Sequence, residues 1–288
     1  MNRKKLTISS ARHYMKEKLT PYYPERELNA IITIILGFMS GKDRSFILAR
    51  PGHEISSYNW FKVNKICNDL KNMVPVQYIT GETEFYGIKL RVTRHTLIPR
   101  QETEELVDKI IKENTNISPL SILDIGTGTG CIAISLASGL GHARLTASDN
   151  SEEALLTAKL NAKNMGLQVE FINDDILSAD SGKYGEYDIV VSNPPYICRS
   201  EKAAMSSNVI DYEPHTALFV PDDDPLIYYR AVLDLCCSVL KPRGRVYFEI
   251  NENKSPEMKV LLENYGYSSI KVIKDINGKP RIIKGIKA

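Results

Sequence analysis

The order of apolar and polar positions divides the chain into three stretches of different period. Between residues 7 and 74 apolar side chains recur every three to four positions, the spacing of one face of an α-helix. Leu28, Ile31, Ile32, Ile35 and Leu36 form one stripe, and Trp60, Val63, Ile66, Cys67 and Leu70 form another. Ser9 and Ser10 are expected to cap a first helix that runs through Leu19. Pro24 suits the first turn of a second helix, and Ser56 and Ser57 are expected to start a third that ends near Lys71. Beyond residue 75 the pattern changes. Gln77-Tyr78-Ile79, Thr83 to Phe85 and Ile88 to Val92 are short β-type runs, punctuated by Gly81 and Gly87. A β-hairpin linker is expected there.

From Gln101 helical and extended patterns alternate. Helices are expected at Glu102 to Lys112, from the glycine-rich turn after residue 125 through Ser138, at Ser151 to Met165 and at Leu226 to Leu240. Strands are expected at Ser121 to Ile125, Arg144 to Ser148, Val169 to Ile172, Tyr187 to Ser192 and Arg245 to Ile250. Two more in the tail, about Ser269 to Ile286, are joined by Asn277-Gly278. The expected organisation is a small helical domain over residues 1–74, a hairpin linker over 75–100 and an α/β domain over 101–288. Seven strands, mostly parallel, would carry helices on both faces. Ligands of such sheets sit beyond the C-terminal ends of the strands, and every motif discussed below falls at one of those ends.

Composition narrows the function classes. The chain has 288 residues, 43% apolar and 25% charged, with a net charge of only +2. That allows a sizeable core and argues against bulk nucleic-acid binding. Basic residues gather near the ends, among them Arg3, Lys4 and Lys5, then Lys279, Arg281 and Lys284, and read as solvated surface. The cysteines, Cys67, Cys131, Cys198, Cys236 and Cys237, show no metal-type or disulfide spacing, which suits a reducing compartment. Cys236 and Cys237 are expected in a helical core. The longest apolar run, Ala30 to Met39, is too short to span a bilayer. Met1-Asn2-Arg3-Lys4-Lys5 is followed by no apolar segment of the kind a secretory signal needs. A cytoplasmic protein, monomeric and without metal or membrane attachment, is expected.

Three elements point to a nucleoside ligand. Leu123-Asp124-Ile125-Gly126-Thr127-Gly128-Thr129-Gly130 lies where a strand turns into a helix, and glycines there permit a tight turn and close approach of backbone to ligand. The G-x-G-x-G spacing differs from the G-x-G-x-x-G of dinucleotide binders, and a plain strand–helix turn would read the same. Asp149, at the end of the second strand, is placed to accept hydrogen bonds from both hydroxyls of a ribose. It also stands where a carboxylate caps a helix. Asp174-Asp175, after the third strand, offers a polar group to an adenine edge or is a solvated turn. No lysine follows the glycines, so a nucleoside triphosphate is not expected.

Ser192-Asn193-Pro194-Pro195-Tyr196 follows the fourth strand and is the most informative stretch. Two prolines fix the backbone and remove two N–H donors, so their carbonyls can serve as rigid acceptors. Asn193 adds a side-chain oxygen, and Tyr196 offers a face for a planar group. A planar –NH2 has two hydrogens, and two fixed acceptors would take both. An amide nitrogen is a weak nucleophile because its lone pair is delocalised. Holding its hydrogens raises electron density on nitrogen and aims it, so positioning and electrostatics can drive transfer from a sulfonium methyl donor.

These segments resemble the Rossmann-like class I methyltransferases that modify exocyclic or side-chain nitrogens. Further stretches narrow the resemblance to the HemK/PrmC family of peptide chain release factor glutamine-N5 methyltransferases. They are Pro75-Val76-Gln77-Tyr78-Ile79-Thr80-Gly81, Glu84-Phe85-Tyr86-Gly87, Leu97 to Leu106, Glu213-Pro214 with Ala217-Leu218, Phe248-Glu249-Ile250, and Asp275 with Gly278 and Arg281. Gln101, Asn251 and Lys254 depart from the pattern, standing where the family usually has proline, glycine and glutamine. The resemblance implies S-adenosylmethionine as cofactor and class-I peptide chain release factors as partners, methylated at the glutamine of their Gly-Gly-Gln loop. It implies that Asp124, Gly126, Thr127, Gly128, Thr129, Gly130, Asp149, Asp175 and Asn193 bind cofactor. Asn193, Pro194, Pro195 and Tyr196 would receive the glutamine and carry the chemistry, and the N-terminal helices would help to hold the release factor.

Two alternatives compete. The acceptor arrangement would also serve an amino group of adenine or guanine in RNA or DNA, or another ribosome-associated protein. Against a nucleic acid stand the low net charge and the lack of a basic recognition domain. A non-catalytic binding module would have no need of an intact Asn193-Pro194-Pro195-Tyr196. Glu102, Glu104 and Glu105 are expected only to complement a helix dipole.

Overall fold

The computed structural model describes residues 5–56 and 58–288. Arg3 and Lys4 of the N-terminal basic group, and Ser57, lie outside the described residues. The chain forms two compact units. One comprises the residues through Gly81 together with Ser207–Tyr212, and the other comprises Glu82–Ser206 and Glu213–Ala288.

The first unit contains α1 (Ile8–Leu19), α2 (Glu25–Ser40), α3 (Arg44–Ala49), α4 (Trp60–Lys71) and α5 (Val76–Thr80). Their apolar stripes meet in one core that includes Ile8, Met15, Leu19, Ile32, Ile35, Leu36, Val63 and Leu70. Several expected boundaries move. Thr7, not Ser9 or Ser10, caps α1, and Ser10 is its reciprocal partner at the third helical position. Pro24 sits at the N-cap of α2 rather than within its first turn. The third expected helix starts at Trp60 instead of near Ser56, because the Asn59 side chain accepts the Lys62 N–H. A further short helix, α3, is capped by Asp43. Gln77-Tyr78-Ile79 is helical rather than extended. Pro75 and a left-handed Gly81 bracket it, and the Gly81 N–H closes the turn on the Gln77 carbonyl, overriding the β preference of its residues. The unit also takes in Ser207–Tyr212, which includes the single helical turn α9 (Ser207–Ile210), and the Tyr212 hydroxyl donates to the Asn72 carbonyl at 2.6 Å.

The second unit opens with the hairpin β1 (Glu82–Phe85) and β2 (Ile88–Arg91), followed by α6 (Gln101–Asn114). Next come β3 (Leu120–Ile125), α7 (Cys131–Gly139), β4 (Ala143–Asp149), α8 (Glu152–Asn164), β5 (Val169–Asn173) and β6 (Tyr187–Ser192). The chain ends in α10 (Ile227–Val239), β9 (Leu240–Glu249), α11 (Ser255–Asn264), β10 (Tyr267–Lys274) and β11 (Pro280–Lys287). A two-residue ladder of β7 (Ile197–Cys198) with β8 (Phe219–Val220) follows the proline pair and was not foreseen.

The large sheet has the order β10-β11-β9-β6-β3-β4-β5. Pairings β3–β4, β3–β6, β4–β5 and β6–β9 are parallel, and β11 runs antiparallel to both of its neighbours. This is the mostly parallel seven-stranded sheet expected from the sequence, with helices on both faces. Alternate side chains feed two cores. Ile122, Ile189, Val191 and Tyr247 pack with α6 and α7, whereas Leu123, Val190, Val246 and Phe248 pack with α10 and α11. Cys236 is buried in the second core, but Cys237, expected there too, is exposed because it falls on the outer side of α10.

The hairpin is part of this unit's core. Phe85, Ile88 and Leu90 join the cluster of α6 and α7. Asn161 on α8, 2% exposed, accepts the Arg91 N–H at 2.8 Å and donates to the Arg91 carbonyl at 3.0 Å and the Thr129 carbonyl at 2.9 Å. One amide thus ties the hairpin to the glycine turn. Glu104 accepts the Tyr86 N–H, and Glu105 accepts the Ile276 N–H from the β10–β11 tip. These acidic residues therefore fasten two hairpins in addition to meeting the helix dipole.

Asn161→Ala leaves those backbone groups without partners. It should destabilise the protein by about 2 to 4 kcal/mol and speed amide exchange at Arg91. Denaturant titration and hydrogen exchange measure both, and an unchanged Arg91 exchange rate would contradict the clamp.

Candidate active site

Parallel register brings four strand ends level. Ile125 faces Ser148 on one side and Ser192 on the other, and Asp149 faces Asn173. The glycine turn, Asp149, Asp174 and Asn193 therefore emerge together along one edge of the sheet. They line a pocket enclosing about 830 Å³ of empty space, part of it open to solvent, whose wall also includes Leu97, Tyr228 and the Pro214–Ala217 turn. That is within the usual size of a cofactor site.

The glycine turn doubles back because Gly126, Gly128 and Gly130 hold φ of 74°, 56° and 81°. The N–H groups of Gly126 and Thr127 both donate to the Ser148 carbonyl. Space beside Gly126 and Gly128 is open, but a Cβ at Gly130 would meet Ile134 at 2.9 Å and Ala158 at 3.1 Å. Gly126 and Gly128 thus face the pocket, and Gly130 serves the packing of α7 against α8. Thr127 and Thr129 are buried behind the turn and are not in the pocket wall.

Two carboxylates support the turn. Asp149 accepts the Gly128 N–H at 2.8 Å and the Ser151 N–H at 3.0 Å. Ser151 caps α8, so the cap and the pocket carboxylate are different residues. Burial raises the Asp149 carboxyl, and its backbone hydrogen bonds oppose that shift. Asp124 is fully buried beneath the turn, with one oxygen bonded to the Thr127 hydroxyl at 2.6 Å and the Ala133 N–H at 3.2 Å. Among the described residues its other oxygen has no hydrogen-bond partner. Burial pushes this carboxyl up to about 7, its two donors pull it down, and the nearby charge of Asp149 adds to the rise.

At the third strand end, Asp174 is engaged by Lys183, the Tyr184 hydroxyl and the Asp180 N–H. Asp175 uses one oxygen on the Leu177 N–H. Both line the pocket.

At the fourth strand end, Ser192 donates to the Ile125 carbonyl at 2.7 Å, locking the segment to the glycine turn. Asn193, Pro194 and Pro195 line the pocket. Tyr196 does not. Its ring packs against the α10–α11 core, and its hydroxyl donates to Glu249 at 3.3 Å. The Asn193 amide nitrogen donates to the Thr103 hydroxyl at 3.2 Å. Thr103 and Glu249 fall in two of the stretches that carry the family resemblance, but the sequence assigns neither of them a role of its own. The available signal was a carboxylate ending the apolar run of β9. Glu213, buried, binds Arg100 at 2.6 Å and the Ile98 N–H at 3.1 Å. It thereby joins the Leu97 and Pro214–Ala217 sides of the pocket.

Comparison with known proteins decides the family. The chain is 44% identical over 270 residues to the release factor glutamine methyltransferase of Bacteroides thetaiotaomicron, covering 94% of this chain and 96% of that one. This chain belongs to the release factor glutamine methyltransferase family. The same family's member from Flavobacterium psychrophilum is 42% identical, with 97% and 99% covered. The PrmC N-terminal domain family matches residues 10–81, and the methyltransferase small domain family matches residues 102–212. The hMettl16 catalytic domain in complex with MAT2A 3′UTR hairpin 1 shares the fold, with a TM-score of 0.55 and 16% identity over 71% of this chain and 76% of that chain.

As a member of this family the chain is a methyltransferase whose cofactor is S-adenosylmethionine. The residues present fit that group. The glycine turn leaves open space at two positions, and the Asp149 carboxylate stands beside it in the same pocket wall. Among the described residues no helix is long and apolar enough to cross a membrane.

The Asp124 carboxyl yields a pH prediction. Its folded value, about 7, lies above the unfolded value near 3.9. Between those values the folded chain keeps a proton that the unfolded chain has lost, so stability falls as pH rises through the window. Asp124→Asn should remove that component, on the order of a few kcal/mol. Denaturant midpoints of both proteins at about pH 5 and about pH 7.5 measure it. A difference between the two proteins that does not change with pH would contradict the prediction.

Proposed function

We propose that this protein transfers a methyl group to the side-chain amide nitrogen of the glutamine in the Gly-Gly-Gln loop of class-I peptide chain release factors. The observation that carries the proposal is the Asn193-Pro194-Pro195 segment in the wall of the same pocket as the glycine turn and Asp149. A planar nitrogen that reaches this segment meets fixed acceptors on the side facing a cofactor. Family membership, and the relatives' shared name, support the release factor as substrate.

In this reading Gly126, Gly128 and Asp149 hold the nucleoside part of the cofactor. Asp175 borders the base, and Asp124, Thr127, Thr129 and Gly130 shape the turn from behind. When bound, S-adenosylmethionine supplies a methyl group activated by a sulfonium. The chain's own residues do the rest. The Asn193 side-chain oxygen and the Pro194 carbonyl accept the two hydrogens of the glutamine amide. That raises electron density on nitrogen and fixes its approach. Leu97, Pro195 and the Pro214–Ala217 turn close the pocket around the amide and limit water. The nitrogen gains the methyl group and then releases a proton to solvent, so no side-chain base is required. Tyr196 acts through Glu249 and the packing of the segment.

The first unit is proposed as the docking surface for the release factor. It exposes the apolar side chains of Phe61, Leu48, Ile34 and Tyr22, which are available for a partner to cover. A release factor substrate supports a cytoplasmic location for the protein.

Methyl transfer from radiolabelled S-adenosylmethionine tests the reading. Label should appear on an unmethylated release factor, but not on its Gln→Ala variant or on ribosomal RNA. Label on the RNA, or on the variant, would overturn it. Asn193→Ala should abolish transfer with the fold intact, and full activity would remove its acceptor role. Asp149→Ala should weaken cofactor binding about tenfold or more, from the loss of charge-assisted hydrogen bonds. Unchanged affinity by calorimetry would exclude Asp149 from the site.

A further inference from the structure

An asparagine amide presents an acceptor at one end and two donors at the other, and only one orientation suits a substrate –NH2. A rotation of half a turn about the last side-chain bond would aim donors at donors. Something must therefore set which end of Asn193 faces the pocket, and the structure contains a chain of groups able to do so. The Asn193 amide nitrogen lies 3.2 Å from the Thr103 hydroxyl, which lies 2.6 Å from one oxygen of Glu249. The other Glu249 oxygen takes the Tyr196 hydroxyl at 3.3 Å, and the backbone carbonyl of Glu249 takes the Tyr229 hydroxyl at 2.9 Å. Thr103 is 2% exposed and Glu249 1%.

We infer that Thr103 is a positioning residue that holds the Asn193 side-chain oxygen toward the pocket. Thr103 has a single hydroxyl proton. A carboxylate accepts only, and the short contact with Glu249 is the charge-assisted kind that takes that proton. The Thr103 oxygen is left to act toward Asn193 as an acceptor, so it must meet the amide –NH2. A flipped Asn193 would set two lone pairs against each other or pull the proton away from Glu249. Among the described residues none donates to the Asn193 side-chain oxygen, which stays available for a substrate hydrogen. Burial raises the Glu249 carboxyl, and the Thr103 hydrogen bond, the positive charge of Arg281 and the Tyr196 hydrogen bond oppose that rise by favouring the ionised form. A carboxylate at the end of β9 thus sets the polarity of an amide after β6 through a hydroxyl on α6.

The inference rests on the proposed transfer to a glutamine amide, and its test includes a readout that needs no substrate. Thr103→Val keeps shape and removes the hydroxyl, and Thr103→Ser keeps the hydroxyl. The first readout is solvent exchange of the Asn193 side-chain –NH2 by NMR, its signal assigned by its absence in Asn193→Asp. Exchange should be slow in the wild type and in Thr103→Ser, and fast in Thr103→Val. The second readout is release factor methylation. Thr103→Val should lower kcat on the order of ten- to a hundredfold, with KM and cofactor affinity within about twofold of wild type. Thr103→Ser should stay close to wild type. Equal exchange in all three proteins, or a serine variant as impaired as the valine one, would overturn the role of the hydroxyl. A parallel loss of cofactor affinity in Thr103→Val would make Thr103 structural. If the exchange pattern holds while wild type leaves the release factor unlabelled, the substrate proposal fails and the positioning role stands.

Discussion

The parallel register of β4, β3 and β6 is the constraint on which the site depends. It puts the ends of three strands at one level, so that a glycine turn, a carboxylate and an asparagine distant in sequence share one pocket. Each end is then locked to its neighbour by a short hydrogen bond. The Ser192 hydroxyl reaches the Ile125 carbonyl, two N–H groups of the turn reach the Ser148 carbonyl, and Asp149 reaches Gly128. A slip of one residue between β3 and β6 would turn every side chain of β6 to the opposite face and carry Asn193 away from the turn.

Around that edge, buried polar groups do what apolar packing cannot, which is to fix direction. Asn161 holds the hairpin to the glycine turn, Glu213 joins two sides of the pocket, and Glu249 anchors the hydroxyls of Thr103 and Tyr196. Each is nearly inaccessible to water, so each hydrogen bond it makes is costly to lose. The cost of burial shows in Asp124, Asp149 and Glu249, whose carboxyls are all raised. A methyl transfer to a weak nucleophile places its demand on such orientation, because proton transfer lends it little.

Much of this was legible along the chain. The five parallel strands and the final hairpin were visible because buried strands read as short apolar runs and because glycine, proline and Asn-Gly punctuate them. The pocket residues Gly126, Gly128, Asp149, Asp175, Asn193, Pro194 and Pro195 were visible because turn chemistry at strand ends is local. What was missed is non-local or competitive. Gln77-Tyr78-Ile79 carries extended propensity, and only its flanking Pro75 and Gly81 make it a helix. Thr103 and Glu249 are far apart in sequence, and no spacing rule connects a threonine near a helix start to a glutamate ending a strand. Tyr196 reads as a stacking face, but its hydroxyl is drawn to Glu249 and its ring joins the core.

The central claim is that Asn193 and Pro194 together receive the two hydrogens of a glutamine amide beside the methyl donor. A crystal structure with S-adenosylhomocysteine and a release factor carrying an unmethylated Gly-Gly-Gln loop tests it most directly. The account predicts the glutamine amide nitrogen within hydrogen-bond distance of both the Asn193 side-chain oxygen and the Pro194 carbonyl, with its face toward the cofactor sulfur. A glutamine amide bound elsewhere, or one that meets the Asn193 nitrogen instead of its oxygen, would contradict it.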